Sequence, residues 1–216
     1  MKMFRLFSYS MAVGFALLPM ALDAQSSFVA LGNLPGSGNY TGSSRSLTTT
    51  FWEAIGLQTS SDTVAFTSLN GYFESTVGSH TLTGGIYSNN GGQPGSLLVA
   101  FSPVTVNSST PTDYTLLATS AFDLQANTEY WFVLMDPPSS LFWQRDTGNT
   151  APTAALGYTF DGYMQTANSG STWSTDTSGN WTVQINVTPV PEPSSALLIG
   201  MGAAGLLVCR RLPRKR

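Results

Sequence analysis

The sequence predicts an all-β fold, a β-sandwich or jelly-roll-like domain, flanked by an N-terminal signal helix and a C-terminal single transmembrane helix. Three observations carry this expectation. Between residues 25 and 188 the apolar residues alternate or cluster in short runs rich in Thr, Val, Tyr, Phe and Trp, cut by Gly, Asn, Ser and Pro. No window sustains a 3.6-residue period. The longer apolar runs without alternation lie at the two ends of the chain. Many short strands separated by turn residues bury their faces as two packed sheets.

In chain order, Lys2 and Arg5 form a positive n-region ahead of a mostly apolar stretch over 11–22. Asp23-Ala24-Gln25 follows, and the segment 1–24 reads as a secretory signal peptide handled by the Sec export machinery. Cleavage is expected after Ala24. Leu22 sits less well than alanine two residues before it, so a cut after Ala21 is the alternative.

Strands are expected at 28–31, 47–57, 64–74, 81–87, 97–101, 114–121, 129–135, 141–144, 156–160 and 181–187. In the 64–74 segment Val64, Phe66 and Ser68 share one side and Ala65, Thr67 and Leu69 the other, so neither face is purely apolar. The loop 88–96, Ser-Asn-Asn-Gly-Gly-Gln-Pro-Gly-Ser, is the strongest internal landmark, because Asn and Gly accept positive φ and Pro94-Gly95 suits a tight turn. Thr188, Pro189, Val190 and Pro191 read as an extended tether.

Removal of both ends changes the charge balance. The central domain of about 165 residues is long enough for one substantial core. It keeps two basic residues, Arg45 and Arg145, and ten acidic ones, a net charge of −8. Such a surface repels phosphate backbones, which argues against nucleic acid as a partner. The one cysteine, Cys209, lies outside this domain, so no internal disulfide can form there and the fold rests on packing and backbone hydrogen bonds.

Catalytic signatures are sparse, and the domain is expected not to be an enzyme. His80 is the one histidine; with no Gly-x-Ser-x-Gly elbow it reads as an exposed polar residue beside a hairpin rather than a base. One histidine and no cysteine argue against a zinc or copper site, so no metal ligands are assigned. Glu53, Glu74, Glu129, Asp136, Asp146 and Asp161 supply carboxylates for a glycan hydrolase, the most distant alternative. No cofactor is expected; a structural calcium ion is conceivable around 136–146, which holds two acids without the regular spacing of a calcium loop.

The five tryptophans divide by context. Trp52 and Trp131 sit among apolar strand residues and are expected in the core. Trp143 and Trp173 have polar, loop-like neighbours, which makes them the candidates for stacking on sugar rings in a carbohydrate-binding, lectin-like module. Core or lid packing is the favoured reading for the pair.

The C-terminal segment 189–216 divides into a linker over 189–195, a 14-residue apolar run over 196–209 and a basic tail over 210–216. As a helix the run reaches about 21 Å, short of a hydrocarbon core of roughly 30 Å. It spans only if Arg210 and Arg211 snorkel, with Arg214, Lys215 and Arg216 on the cytoplasmic side. Val190, Pro191, Glu192 and Pro193, followed by the apolar run and the basic cluster, resemble the PEP-CTERM sorting signal of Gram-negative bacteria. That resemblance implies a membrane-anchored precursor cut near Pro-Glu-Pro by an exosortase-type membrane enzyme and sorted to the cell surface or outside.

Within the domain, Gly85-Ile86-Tyr87, the 88–96 loop, Leu97-Leu98 and the segment 124–134 resemble the choice-of-anchor R domain over roughly residues 28–188. Asn127 stands where that family usually has glycine, and Asn89 where aspartate is common. Together these features predict an exported structural or adhesive protein of an exopolysaccharide or biofilm matrix.

Overall fold

The computed structural model describes residues 25–34, 44–135, 141–146 and 148–191. Their strands are β1 (Phe28–Gly32), β2 (Ser44–Leu47), β3 (Trp52–Gln58), β4 (Val64–Glu74), β5 (His80–Asn89), β6 (Pro94–Ala100), β7 (Val104–Val106), β8 (Thr112–Leu116), β9 (Asp123–Leu124), β10 (Glu129–Met135), β11 (Leu141–Gln144), β12 (Thr153–Ala154), β13 (Thr159–Thr166), β14 (Ser174–Thr175) and β15 (Gln184–Pro189). They form two antiparallel sheets packed as a sandwich. The first sheet runs β12-β1-β15-β4-β11-β2, with β8 and β9 also on β4; the second runs β14-β13-β3-β10-β5-β6, with β7 also on β5. The expected signal helix and transmembrane helix lie outside the described residues.

The predicted strands at 64–74, 129–135 and 141–144 coincide with β4, β10 and β11. The segment 47–57 instead turns a corner. Thr48 and Phe51 close a turn, with Phe51 N–H donating to Thr48 Oγ1 (2.9 Å), and send β2 and β3 to different sheets. The segment 156–160 begins as a turn, and β13 starts only at Thr159. Thr188 and Pro189, read as tether, are paired with Ala65 and Val64 as the end of β15. His80 is buried rather than exposed, its Nε2 donating to Val77 O at 2.9 Å.

A register shift in β4 explains its mixed faces. Asn186 opposes Ser68 but Val187 opposes Phe66, so Thr67 is the extra residue of a bulge. Side-chain parity flips there, and Val64, Phe66, Leu69 and Phe73 all enter the core. Facing them from the second sheet are Ile55, Leu57, Ile86, Phe132 and Leu134. The Phe66 and Phe132 rings meet across the interior at 5.7 Å.

At one end of the sandwich a charged clamp joins the sheets. Arg45 on β2 donates from Nε to Glu53 Oε1 on β3 (2.8 Å) and from Nη2 to Gln165 on β13, and Nη2 lies 3.3 Å from Asp176 Oδ1. Arg45 and Arg145, the two cations of the domain, both lie over the Trp181 indole, at 5.8 and 5.5 Å. Trp181 Nε1 in turn donates to Asp176 Oδ2 (3.1 Å).

One guanidinium thus serves two buried carboxylates, and their environments separate them. Burial, reinforced by the charge of Asp176, pushes the Glu53 carboxyl up to about 8 against the pull of Arg45. Among the described residues Glu53 Oε2 has no hydrogen-bond partner, as suits a carboxyl holding its proton. Burial would raise Asp176 as well, but hydrogen bonds from Ser178 and Trp181 and the Arg45 charge hold it below the usual value. Asp176 therefore keeps the negative charge.

The sign of the linkage follows. Between the ordinary carboxyl value of 4.5 and about 8, the folded chain holds a proton at Glu53 that the unfolded chain has released, so stability falls as pH rises through that window. Denaturant unfolding from pH 5 to pH 8 is expected to show a loss of up to about 1.4 kcal/mol per pH unit, with Glu53→Gln flattening the slope. A wild-type domain that gains stability across the window would contradict the assignment.

Candidate functional site

Alternation in the second sheet leaves an apolar set on its outer face. Trp131 pairs with Gly56 and Tyr87, and Val133 with Ala54, so these side chains project away from the main core. With Trp52, Met135, Met164 and Trp173 they make a second, smaller cluster. Gly56 permits it: a Cβ there would come within 2.9 Å of the Trp131 ring, so the indole lies across bare backbone. The loop 167–173 caps one end, with Ser169 N–H donating to Thr50 O (3.0 Å) and Gly170 packed on the Trp52 ring.

The β5–β6 hairpin borders the same face. Its turn lies at 89–93 rather than at Pro94-Gly95: Asn90 N–H donates to Gln93 O (2.8 Å), Gly91 and Gly92 take φ of 66° and 82°, and Pro94 already begins β6. Asn89 Oδ1 accepts from Gly92 N–H (2.8 Å) and from Trp131 Nε1 (3.3 Å), while its Nδ2 donates to Glu129. An aspartate could not make that last bond and would set a second negative charge beside Glu129. Asn127 adopts φ 50°, the conformation that the usual glycine would take.

Between the hairpin and the loop 167–173 lies an open groove of about 500 Å³, lined by Ser88, Asn89, Asn90, Gln93, Ser96, Ser171 and Trp173. Its walls are amides and hydroxyls beside a half-buried indole. A neighbouring groove of about 540 Å³ shares Ser88 and Asn89 and continues past Gln58, Asn127 and Glu129. Burial, aided by the charge of Asp161, raises the Glu129 carboxyl above its usual range, and burial raises Asp161.

The two tryptophans singled out for sugar stacking part company. Trp143 is fully buried, stacked on Phe73 at 6.0 Å and tilted against Trp181 at 5.8 Å, with Nε1 donating to Thr182 O (2.8 Å). It belongs to the core, because β11 presents it inward between β2 and β4. Trp173 borders the outer groove. Trp131 is buried as expected, and Trp52 half-buried, but both pack on the outer face instead of between the sheets. The polar landmark loop was legible; its place opposite Trp173 was not.

For calcium, Asp136 lies outside the described residues, and Asp146 Oδ2 accepts from Thr150 N–H at 2.7 Å, bracing its own loop. Among the described residues no three His, Cys, Asp or Glu side chains gather as a metal site.

The sorting segment leaves the domain from β15, held between β1 and β4. Val190 N–H still reaches Thr63 O (3.4 Å), and Pro191 is exposed. Gln25, Ser61, Asp62, Thr63, Pro189, Val190 and Pro191 border one groove, so the residue after the expected signal cleavage and the start of the sorting motif emerge together. Glu192, Pro193 and the basic residues Arg210 to Arg216 lie outside the described residues.

No curated protein sequence matches the chain. Its C-terminal end, residues 189–214, matches the PEP-CTERM protein-sorting motif, which implies export, a membrane-anchored precursor and recognition by an exosortase.

Proposed function

We propose that this chain is a non-enzymatic adhesive protein of the cell surface or extracellular matrix of a Gram-negative bacterium, whose sandwich holds exopolysaccharide in the groove beside Trp173. The sorting motif at residues 189–214 supports an exported module. The observation that carries the glycan reading is the groove itself, which Trp173 lines together with Asn90 and Gln93. Aromatic rings stack on the apolar faces of sugars, and amides bond the hydroxyls. Asn90 and Gln93 close the turn through backbone groups, which leaves their side-chain amides for a ligand. The continuation of the groove past Asn89 and Glu129 suits a chain of sugars rather than a single residue.

The charge narrows the ligand class. Neither arginine lines the groove, and the domain carries a net charge of −8, so a neutral polysaccharide fits better than a uronate-rich or sulfated one. The prediction is that Trp173→Ala weakens binding of purified neutral exopolysaccharide about tenfold in a domain that stays folded, with a lowered unfolding temperature because the indole also packs on the outer cluster, and that Gln93→Ala weakens binding less. Trp143→Ala is expected to cost about 3–5 kcal/mol of stability through its core cavity. Undiminished glycan binding by a folded Trp173→Ala variant would remove the groove from the account.

A further inference from the structure

The end of the sandwich from which the sorting segment emerges carries an apolar point. Residues 155–158 form a tight turn, with Tyr158 N–H donating to Ala155 O (3.0 Å), and its tip, Leu156, is wholly exposed at 101 %. Phe28, 36 % exposed, packs edge-on to Tyr158 at 6.1 Å. Phe28, Leu156, Tyr158 and Pro189 border one hollow, which adjoins the groove holding Val190 and Pro191. The apolar tip and the exit of the tail are thus on the same end.

Chain length limits how far that end can stand from the anchor. Four residues separate Pro191 from Ala196, where the apolar run begins. Even fully extended, the five steps span no more than about 18 Å. With Pro189 fixed in the sheet, the end face of the precursor is held within about 18 Å of the hydrocarbon edge, so the headgroup layer is within its reach.

We propose that, in the membrane-anchored precursor, the Leu156 turn and Phe28 rest in the interface of the bilayer that holds the tail, presenting the Pro191 exit to the membrane surface at a fixed height. This inference rests on the tail's membrane anchoring, not on the glycan reading. Burial of one leucine is too little for a free domain to bind membrane. Tethering supplies the effective concentration that makes so weak a contact persist. Asp62 beside the tip and the acidic surface argue for zwitterionic rather than anionic headgroups as the contact. Once the tail is cut the contact no longer holds the domain.

The test uses residues 25–216, the chain without its expected signal peptide, with Cys209→Ser, bearing an environment-sensitive fluorophore at Leu156→Cys or, as control, at Val77→Cys, which is 79 % exposed in the β4–β5 connection. In phosphatidylcholine vesicles the label at 156 is expected to brighten severalfold, shift to the blue and be quenched by doxyl-labelled lipid, while the label at 77 stays as in water. A chain that floats with the vesicles while the 156 label stays as in water overturns the inference and leaves the anchor standing. Brightening that depends on protein concentration and escapes doxyl quenching identifies a second copy as the occupant and also overturns it. A chain that does not float removes the anchoring itself, and this inference with it.

Discussion

Strand β15 is hydrogen-bonded on both edges, to β1 on one side and β4 on the other, and it leads directly into the sorting segment. Its Ile185 and Val187 are fully buried, so the strand cannot leave the sheet without opening the core. The same pairing brings Gln25 next to Pro191. Gln25, the residue after the expected signal cleavage, and the start of the sorting motif are therefore fixed relative to each other by core packing. The folded domain thus presents the start of its sorting motif at one end.

The domain achieves this without a disulfide and with two cations. Both cations are spent at one place, over Trp181, where Arg45 ties β2 of one sheet to β3 and β13 of the other. An arginine is suited to this role because its planar fork reaches several acceptors while its face covers an aromatic ring. Burial of Glu53 beside Asp176 works against the clamp, and retention of a proton at Glu53 relieves that cost. Elsewhere the outer face of the first sheet uses neutral groups: Ser68, Asn70, Asn186 and Thr115 form a hydrogen-bonded ladder across three strands. The uncompensated negative charge is left at the surface.

Much of the fold could be read from local pattern. Strands with one clean buried face or a continuous apolar run, such as β10 and β11, are legible to the residue, and the class of the fold follows from them. Errors arose where tertiary geometry overrides alternation. The bulge at Thr67 hides which face of β4 is buried, the corner at Thr48–Phe51 divides one apolar run between two sheets, and the bulge at Asp161 with Gly162 breaks the pattern of β13. Two-residue strands such as β9 and β12 carry no period at all. Trp143 has polar sequence neighbours, which make it a candidate for sugar stacking, but the favoured core reading holds for it: Gln144 and Asp146 are themselves buried, Gln144 O accepting from Thr182 and Asp146 Oδ2 from Thr150. Trp173 shares that polar context but lies on a loop, and only the fold shows what stands opposite it. The sorting motif needed no fold to be legible, since its three parts follow one another in the sequence.

The central claim is that the chain is a processed cargo with a folded domain delivered by its tail. The most direct measurement is the intact mass of the protein recovered from the surface and medium of its native host. The account predicts an N-terminus near Gln25 and a C-terminus between Pro191 and Ser195, with any added mass identifying what replaces the tail. A chain still ending at Arg216 and confined to the inner membrane would contradict it.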